Sequence, residues 1–502
     1  MALSDKDAQH ISTECEADTE VAHKAPSSVV HEEYLIERHG TCELDPLPSA
    51  DPNDPLNLPS WRKHVHLILM AFHGLFCTSN AGSVVTAVAE WATLYDVSIS
   101  ASVYIATSQL IALAVAPLVW IPIVNRWGRV PVFLVSALGS SMFNIACAQS
   151  GSYASHMVYR ILVGFFISPG ITVPQGVVVE MFFAKERAQK MGVWVLFANS
   201  GASIGPALMG FLIKAKGWRW VYRVFAILEF VLFVLYYLFS PETLYRPNTS
   251  NQENNEDESN SRPPQRNWWL RFARRIDPTP LRMFDFIEPL WLLRHWNILV
   301  VNIAYSVAHN FVLTLLLVEM STLYEPLFNL GPQQAGLNYF ALLVGSLLGE
   351  QLGGPFSDWL RNRQIKRTKR NIPEDRLWVS HLGIQLIIVG IVVFFVEIAN
   401  ASGHWNIRPD IGVGIAAFGV QIVATVLVTY CSDSLPRHES ASLGVVINFT
   451  KLVWGFASPF WYPVMIESVG LKGSAGVVTG VTVAFAMLPL VALQIWGRYK
   501  KH

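Results

Sequence analysis

Charged residues are scarce in this sequence, and their scarcity excludes an ordinary soluble fold. Asp, Glu, Lys and Arg make up 15% of the 502 residues, 52% are hydrophobic, and the mean hydropathy is +0.35. A typical soluble domain carries about 25% charged residues. We therefore expect lipid to surround most of the chain.

The sequence also lacks an excess of one charge and the motifs of common enzymes. Its 37 Lys and Arg balance 37 Asp and Glu, so the basic face that nucleic-acid binding needs is not predicted. The 5 cysteines do not have the spacing of a zinc or disulfide framework. We find no phosphate-binding glycine loop, metal-ligand cluster or nucleophile elbow. These absences predict a protein that is not an enzyme, is not driven by ATP hydrolysis and needs no cofactor or metal.

Long apolar runs are abundant, and each is a candidate membrane span of roughly 20 residues. Because backbone polar groups in lipid must be satisfied internally, the runs predict helices, and hence an all-α polytopic membrane protein. The predicted spans are residues 65–89, 100–124, 131–150, 154–181, 191–213, 219–240, 297–320, 334–356, 378–398, 409–431, 442–466 and 475–497.

Polar segments divide the chain into predicted domains. Lys and Arg concentrate in one set of loops, which places both termini and the central linker in the cytoplasm by the positive-inside rule. No apolar run of the signal-peptide kind precedes the first span, and 246–266 is predicted to be a disordered linker. The predicted domains are a cytoplasmic tail 1–60, a six-helix bundle 61–240, a cytoplasmic linker 241–295, a second six-helix bundle 296–497 and a cytoplasmic end 498–502.

The two halves share a motif after their second spans. Pro122 is followed three residues later by Asn125, and Pro355 is followed three residues later by Asp358. Such correspondence is expected when one bundle repeats the other, as in many carriers.

Several motifs together resemble those of the major facilitator superfamily. The segment 122–131 resembles its signature loop between helices 2 and 3, 160–164 its fourth-helix arginine motif, and 201–210 the glycine-proline motif of its drug:proton antiporters. Segments that resemble signatures of fungal members of that group are 51–57, 217–220, 241–244 and 349–358.

The resemblance covers about residues 50–500 and implies the major facilitator fold, with 12 transmembrane helices in two six-helix bundles. It implies a proton-coupled carrier that exports a drug-like compound or secondary metabolite by alternating access. We expect a monomer in the plasma membrane, with a small-molecule substrate, protons and the lipid bilayer as its partners.

The loops after the second and eighth spans are candidate gates. Gly128 can supply the backbone angles of a tight turn, and Asn125 could bond a helix N-terminus of the other bundle in one state. The family pattern has a carboxylate where this chain has Asn125, so the charge–dipole part is expected only at Asp358. In the alternative, these loops are only positive-inside anchors. The predicted gating residues are Asn125, Arg126, Gly128, Arg129, Asp358 and Arg361.

Small residues in the fifth span predict a tight, slightly kinked helix contact where the bundles rock. The residues are Gly201, Gly205, Pro206 and Gly210. The alternative is ordinary close packing.

Ionisable residues inside spans cost roughly 2.5 kcal/mol or more, so each is a functional candidate. Arg160 is predicted to couple protons or to hold an anionic substrate group, or else to be structural and bonded to carbonyls. Glu350 and Lys451 are predicted to lie at similar depths and could form a buried ion pair, which would be either functional or purely structural. Glu319 is either a proton acceptor or a wetted helix-end residue, and Glu229 is a weaker candidate because the sixth span is usually peripheral in this fold.

Polar stripes at helical spacing predict the faces that line a central cavity. A lone histidine in a membrane is more often a packing residue, so His309 alone is a weak proton carrier. Trp454 near Lys451 could stack on an aromatic or cationic substrate, or else be a packing residue. The remaining predicted pathway residues are His73, Asn80, Tyr305, His309, Gln421 and Thr425.

Two rival functions and one modification remain open at this point. Uptake of a small cation such as a polyamine is the nearest rival, because the residues do not fix the direction. A sensor that keeps the carrier fold without transport is the rival of another class. Asn400 begins a glycosylation sequon in a predicted outward loop.

Overall fold

A computed structural model of the chain describes residues 35–36, 44–49, 51, 54–245, 276–277, 279–368, 373–435 and 442–500. Within these ranges the regular structure is helical, without strands. The predicted linker 246–266 and most of the predicted tail 1–60 lie outside the described residues.

The first six long segments are α1 to α6, and two of them are broken. In α1 a 3-10 turn, Val85–Ala87, follows the helix Ser60–Gly82. In α4 new helical segments begin at Pro169 and Pro174, because proline has no N–H for the preceding turn. The bounds are α1 Ser60–Tyr95, α2 Ile99–Trp127, α3 Arg129–Ala148, α4 Tyr153–Met181, α5 Ala184–Lys216 and α6 Arg219–Phe239.

The second six begin after a short helix, Met283–Ile287, and a 3-10 helix, Glu288–Arg294. Another short helix, Pro332–Asn338, precedes α8. In α7 the segment Asn310–Leu315 is a π-helix, a feature that is frequent at functional sites. The bounds are α7 Trp296–Phe328, α8 Phe340–Thr368, α9 Leu377–Ala399, α10 Arg408–Ser434, α11 443–469 and α12 471–500.

Gly470 separates α11 from α12. Its φ of 70° and ψ of 174° lie outside the helical region and interrupt the helix Tyr462–Thr482. Glycine adopts these angles without the strain that a Cβ would cause.

The predicted fold class is confirmed. In the described part of the chain, 11 segments are long and apolar enough to cross a membrane. The helix α8 is not among them, because Glu350, Gln351 and its glycines lower its hydropathy. It nevertheless occupies the eighth position and packs against α10, through a contact between Gly349 and Gln421.

Candidate functional site

The two bundles meet closely at the side of the molecule opposite to where α1 begins and α12 ends, hereafter the far side. A Cβ on Gly210 of α5 would lie 2.5 Å from the carbonyl oxygen of Pro332, and one on Gly336 would lie 2.6 Å from that of Pro206. The Ser321 hydroxyl of α7 donates to the Val85 carbonyl of α1 at 3.3 Å. These contacts close the far side.

At the near side, one contact between the bundles involves a glycine. A Cβ on Gly444, where α11 begins, would lie 2.6 Å from Oε1 of Gln175 in the last segment of α4. This near-side contact is made by a side-chain amide, whereas the far-side contacts at Gly210 and Gly336 are made by the backbone.

The glycine-proline motif of α5 serves two different interfaces. Gly201 and Gly205 lie against α1 of the same bundle, where a Cβ on Gly205 would be 2.7 Å from the Ser79 carbonyl. Pro206 and Gly210 lie against the start of the other bundle. The motif thus fixes α5 to α1 with one half and to the second bundle with the other.

A polar group lies between the bundles at mid-depth. The Lys451 ammonium of α11 is 5.9 Å from the ring centroid of Tyr305, and Tyr305 and His309 of α7 pack edge to face at 5.8 Å. From the first bundle, the Asn199 amide lies within hydrogen-bonding reach of the Glu350 carboxylate. Lysine, histidine, carboxylate and amide groups therefore converge on one level of the interface.

The predicted ion pair between Glu350 and Lys451 is wrong for this conformation. Among the described residues, no ion pair within 4 Å joins them. Glu350 faces Asn199 of α5, whereas Lys451 faces α7. Spacing along two helices predicted their similar depth but could not predict how each helix is rotated.

The π-helical turn of α7, which the sequence pattern did not predict, ties that helix to α11. The Asn310 amide donates to the Lys451 carbonyl at 3.0 Å, and the Thr450 hydroxyl donates to Oδ1 of Asn302 at 2.8 Å. Thr314 in turn donates to Oδ1 of Asn310 at 2.9 Å. The polar spacing at 302, 306 and 310 was the available signal. These bonds hold Lys451 in place beside Tyr305.

Three predicted pathway residues on α10 and α11 occupy less distinctive positions. Gln421 is buried against α8, and Thr425 donates to the Gln421 carbonyl of its own helix at 2.9 Å. Trp454 is half-buried and packs against the main apolar core. Their contacts are those of packing residues.

Glu319 is buried on α7, with an exposed fraction of 5%. It accepts a hydrogen bond from Thr322 at 2.9 Å and lines a cavity of about 160 Å³ between α2, α7 and α11. It is not a wetted end residue in this structure.

Arg160 is fully buried and holds α1, α2 and α4 together. Its guanidinium donates to the carbonyls of Asn80, Ala81 and Ala106 at 3.2, 3.4 and 3.0 Å, and to Oδ1 of Asn80 at 3.0 Å. The described residues show no carboxylate paired with it. This is the arrangement of the structural alternative, an arginine bonded to carbonyls.

The stripe of α1 does not line the cavity between the bundles, contrary to the prediction. His73 and Asn80 both have an exposed fraction of 0% and point into the first bundle. His73 contacts the hydroxyls of Ser136 and Tyr236, both at 3.3 Å, and Asn80 donates to Asn144 at 2.9 Å. Helical spacing predicts that residues share a face, but not which neighbour the face meets.

The loop between α2 and α3 bonds within its own bundle and to the linker. Arg129 forms an ion pair with Glu180 at 2.5 Å and donates to Oδ1 of Asn125 at 3.1 Å. Arg126 forms an ion pair with Asp285 at 2.5 Å. Asn125 is exposed, and among the described residues its side chain bonds Arg129 and not a helix N-terminus of the other bundle, so the predicted bond is not made in this conformation.

Glu242 caps α3, a role that the sequence analysis missed. Its carboxylate accepts from the backbone N–H groups of Arg129 and Val130 at 2.8 and 3.1 Å, and from that of Leu244 at 2.9 Å. Burial raises the pKa of Glu242, although these hydrogen bonds and the Arg129 charge oppose the rise. The Pro-Glu-Thr-Leu motif after the sixth span was the available signal.

Gly128 makes this cap possible. Its φ is 106°, and a Cβ there would lie 2.5 Å from Oε2 of Glu242. The residue thus allows both the turn and the close approach of the carboxylate.

Two kinds of predicted site residue remain. The side chains of Asp358 and Arg361, near the end of α8, lie outside the described residues. Asn400 is exposed directly after α9, on the far side.

Comparison with known proteins identifies the family. Residues 69–459 match the sequence profile of the Major Facilitator Superfamily. The chain is 25% identical over 404 residues to a probable efflux pump, mfs2, of Aspergillus flavus, which covers 80% of this chain and 94% of that protein. It is 24% identical over 464 residues to the cercosporin MFS transporter CTB4 of Cercospora nicotianae, with 89% and 86% covered.

A solved structure supports the same assignment at the level of the fold. The crystal structure of a D-xylose-proton symporter superposes with a TM-score of 0.61 at 13% identity, covering 84% of this chain and 98% of that one. The resemblance drawn from the motifs is therefore confirmed, and the chain belongs to the Major Facilitator Superfamily of multi-pass membrane transporters.

Proposed function

We propose that this transporter exports an aromatic, drug-like compound or secondary metabolite in exchange for protons, as a monomer in the plasma membrane with both termini in the cytoplasm. The observation that carries the proposal is the polar group between the bundles, formed by Tyr305, His309, Glu350 and Lys451. It lies at mid-depth, where carriers bind substrate, below a far side closed by small-residue contacts. The names of the relatives as efflux pumps support the direction.

Lys451 is the residue expected to select the substrate. Lys451 lies beside the ring of Tyr305, which in turn packs on the imidazole of His309. The Lys451 ammonium can therefore donate to an acidic or hydrogen-bond-accepting group of a ligand, while Tyr305 offers a ring face. An aromatic compound with such a group matches both.

The test is transport in cells and in liposomes. Cells that overproduce the protein should accumulate less of a panel of aromatic natural products than cells that lack it. Purified protein in liposomes should drive uphill flux only when a pH gradient is applied. Flux that ignores the gradient would contradict proton coupling, and higher accumulation on overproduction would contradict export.

Two lysines, one in the proposed substrate site and one exposed elsewhere, provide matched variants. Lys451→Met should lower kcat/KM by at least about ten-fold, equivalent to about 1.4 kcal/mol. Lys472→Met, at an exposed lysine after Gly470, should leave it unchanged. Equal effects of both variants would remove Lys451 from the substrate site.

Uptake of a small cation is the second candidate, and Glu319 favours it. This buried carboxylate lines the far-side cavity, where an entering cation would first meet a negative charge. The candidate predicts that overproduction raises polyamine accumulation and that Glu319→Gln abolishes the rise.

A further inference from the structure

The first bundle contains a buried acid–base pair that lies apart from the substrate group at Lys451. Glu229 of α6 and His73 of α1 both have an exposed fraction of 0%, and Oε2 of Glu229 lies 3.9 Å from Nε2 of His73. In the described part of the chain, neither oxygen of Glu229 accepts a hydrogen bond. The Ser140 hydroxyl faces the carboxylate but donates to the Ala137 carbonyl at 3.1 Å.

Among the residues that the structure describes, no fixed cation lies close enough to offset the charge that Glu229 would carry. The titratable groups that face it are His73 and Cys77 of α1 and Tyr236 of α6 itself. Of the other helices packed on α6, α3 presents the hydroxyl of Ser140, and α5 has no ionisable residue between positions 190 and 214. An unpaired carboxylate in the membrane interior costs free energy, which favours binding of a proton by Glu229 or His73. Gain or loss of that proton therefore sets the charge of this region.

A route for the proton leads to the near side. Nδ1 of His73 contacts the Tyr236 hydroxyl at 3.3 Å. Two helical turns before His73, His66 lies on the same stripe of α1, and its ring packs on Tyr236 at 6.1 Å. Nδ1 of His66 contacts the half-buried hydroxyl of Ser240, directly after α6, at 2.8 Å. Histidine and hydroxyl groups both donate and accept protons. Among the described residues Nε2 of His66 has no hydrogen-bond partner, so transfer between His66 and Tyr236 needs a water or a movement of one ring.

The pair also contacts the break in α4. A Cβ on Gly170, within the segment Pro169–Thr172, would lie 2.7 Å from Cδ2 of His73. Ser136, which contacts Nε2 of His73, donates to the Phe166 carbonyl of α4 at 2.5 Å. A change of charge on His73 therefore acts on the interrupted helix whose last segment touches the second bundle through Gln175.

From these contacts we propose that Glu229 and His73 together form the proton-binding site of the transporter, with Glu229 as the carrier. The proposal rests on the proposed proton coupling and places that coupling inside the first bundle, away from the substrate group at Lys451. In exchange for an exported substrate, a proton crosses from the far side to the near side. It binds to Oε2 of Glu229, beside Nε2 of His73, and leaves to the near side by way of Tyr236, His66 and Ser240 when α4 rearranges.

The first experiment measures conformation against pH in the full chain, without ligand, in lipid nanodiscs. Spin labels at Lys185→Cys and Arg363→Cys report the near-side separation of α5 and α8, where both residues are exposed. Cys15 and Cys42 are replaced by serine, while the buried Cys77, Cys147 and Cys431 are kept. Two conformations give a shorter and a longer separation of the labels. The ratio of their populations should change at least about five-fold between about pH 5 and about pH 8 when the site is intact, and less than about two-fold in Glu229→Gln.

Matched variants separate the possible outcomes. Asp410→Asn removes another buried carboxylate, one that accepts from Tyr324 at 2.8 Å, and should keep the full pH response. If the protein with an intact site shows no pH response, the proposed proton coupling is wrong and this site with it. If Glu229→Gln responds like the intact site, only the present inference is wrong.

Infrared difference spectroscopy provides a readout that does not depend on movement. The carboxylic-acid stretch should include a titrating component that is absent from Glu229→Gln and shifted in His73→Gln. If Glu229→Gln fails to fold, Glu229→Asp and His73→Gln carry the test, since Asp keeps the carboxylate and should titrate at a different pH. A spectrum in which no titrating component is lost in any of these variants would overturn the inference.

Discussion

Replacing Gly128 with alanine tests how the cap of α3 and the loop after α2 depend on one another. Alanine at a φ of 106° and a ψ of 170° occupies a region that only glycine uses freely, at a cost of about 1–3 kcal/mol. Its Cβ would also stand 2.5 Å from Oε2 of Glu242 and 3.0 Å from Cδ1 of Ile276. The carboxylate must then withdraw, and loss of a helix cap costs about 0.5–2 kcal/mol more.

The expected total loss of stability is about 1.5–5 kcal/mol, which lowers the melting temperature by about 3–20 °C on the scale for a domain of the size of one bundle. The assay is thermal unfolding of purified protein in detergent, followed by tryptophan fluorescence. Gly192→Ala is the control, because a Cβ at this helical position meets nothing within 4 Å, and it should leave the melting temperature unchanged or raise it slightly. Equal melting temperatures for Gly128→Ala and the unaltered protein would refute the reasoning.

Three further predictions follow from the site. Burial raises the pKa of Glu242, so this carboxyl binds a proton more tightly in the folded protein than in the unfolded chain. The stability that it contributes is therefore full below its ordinary pKa and is lost as the pH rises through the raised pKa. Melting temperatures measured against pH should show this decline, and Glu242→Gln should lack it. Gly210→Val should hold α5 away from Pro332 and so open the far side. In the Gln333→Cys background, this change should make the cysteine react several-fold faster with an impermeant maleimide, and an unchanged rate would contradict the contact. Arg160→Lys should lower the free energy of unfolding by about 2–3 kcal/mol, because an ammonium cannot reach the carbonyls of both α1 and α2. A melting temperature equal to that of the unaltered protein would argue against this role.

The number and order of the helices were predictable because lipid imposes a length and an apolar composition on each span. The eighth segment shows the limit of that signal, since Glu350 and several glycines reduce its hydropathy where it packs against other helices. Gly470 shows another, because a glycine inside an apolar run can either pack or break a helix, and only its backbone angles decide.

The candidate site was predictable only in part. The sequence indicated the depth of Glu350 and Lys451 but not their partners, since a helix can rotate about its axis without any change in pattern. The caps and the π-helical turn depend on contacts between residues far apart in the chain. Glu242 and Gly128 are separated by most of a bundle, and no periodicity connects them.

The attachment of the linker to the first bundle has a consequence for how force passes between the halves. The N–H of Ile276 donates to the Arg126 carbonyl at 2.8 Å, and Asp285 is paired with the Arg126 guanidinium. The covalent tether to α7 is therefore only the segment after Asp285, and any tilt of the α2–α3 turn pulls on α7 directly. A reporter domain inserted before Ile276 should be tolerated, whereas one inserted between Arg294 and Trp296 would lengthen this tether and uncouple the movement of one half from the other.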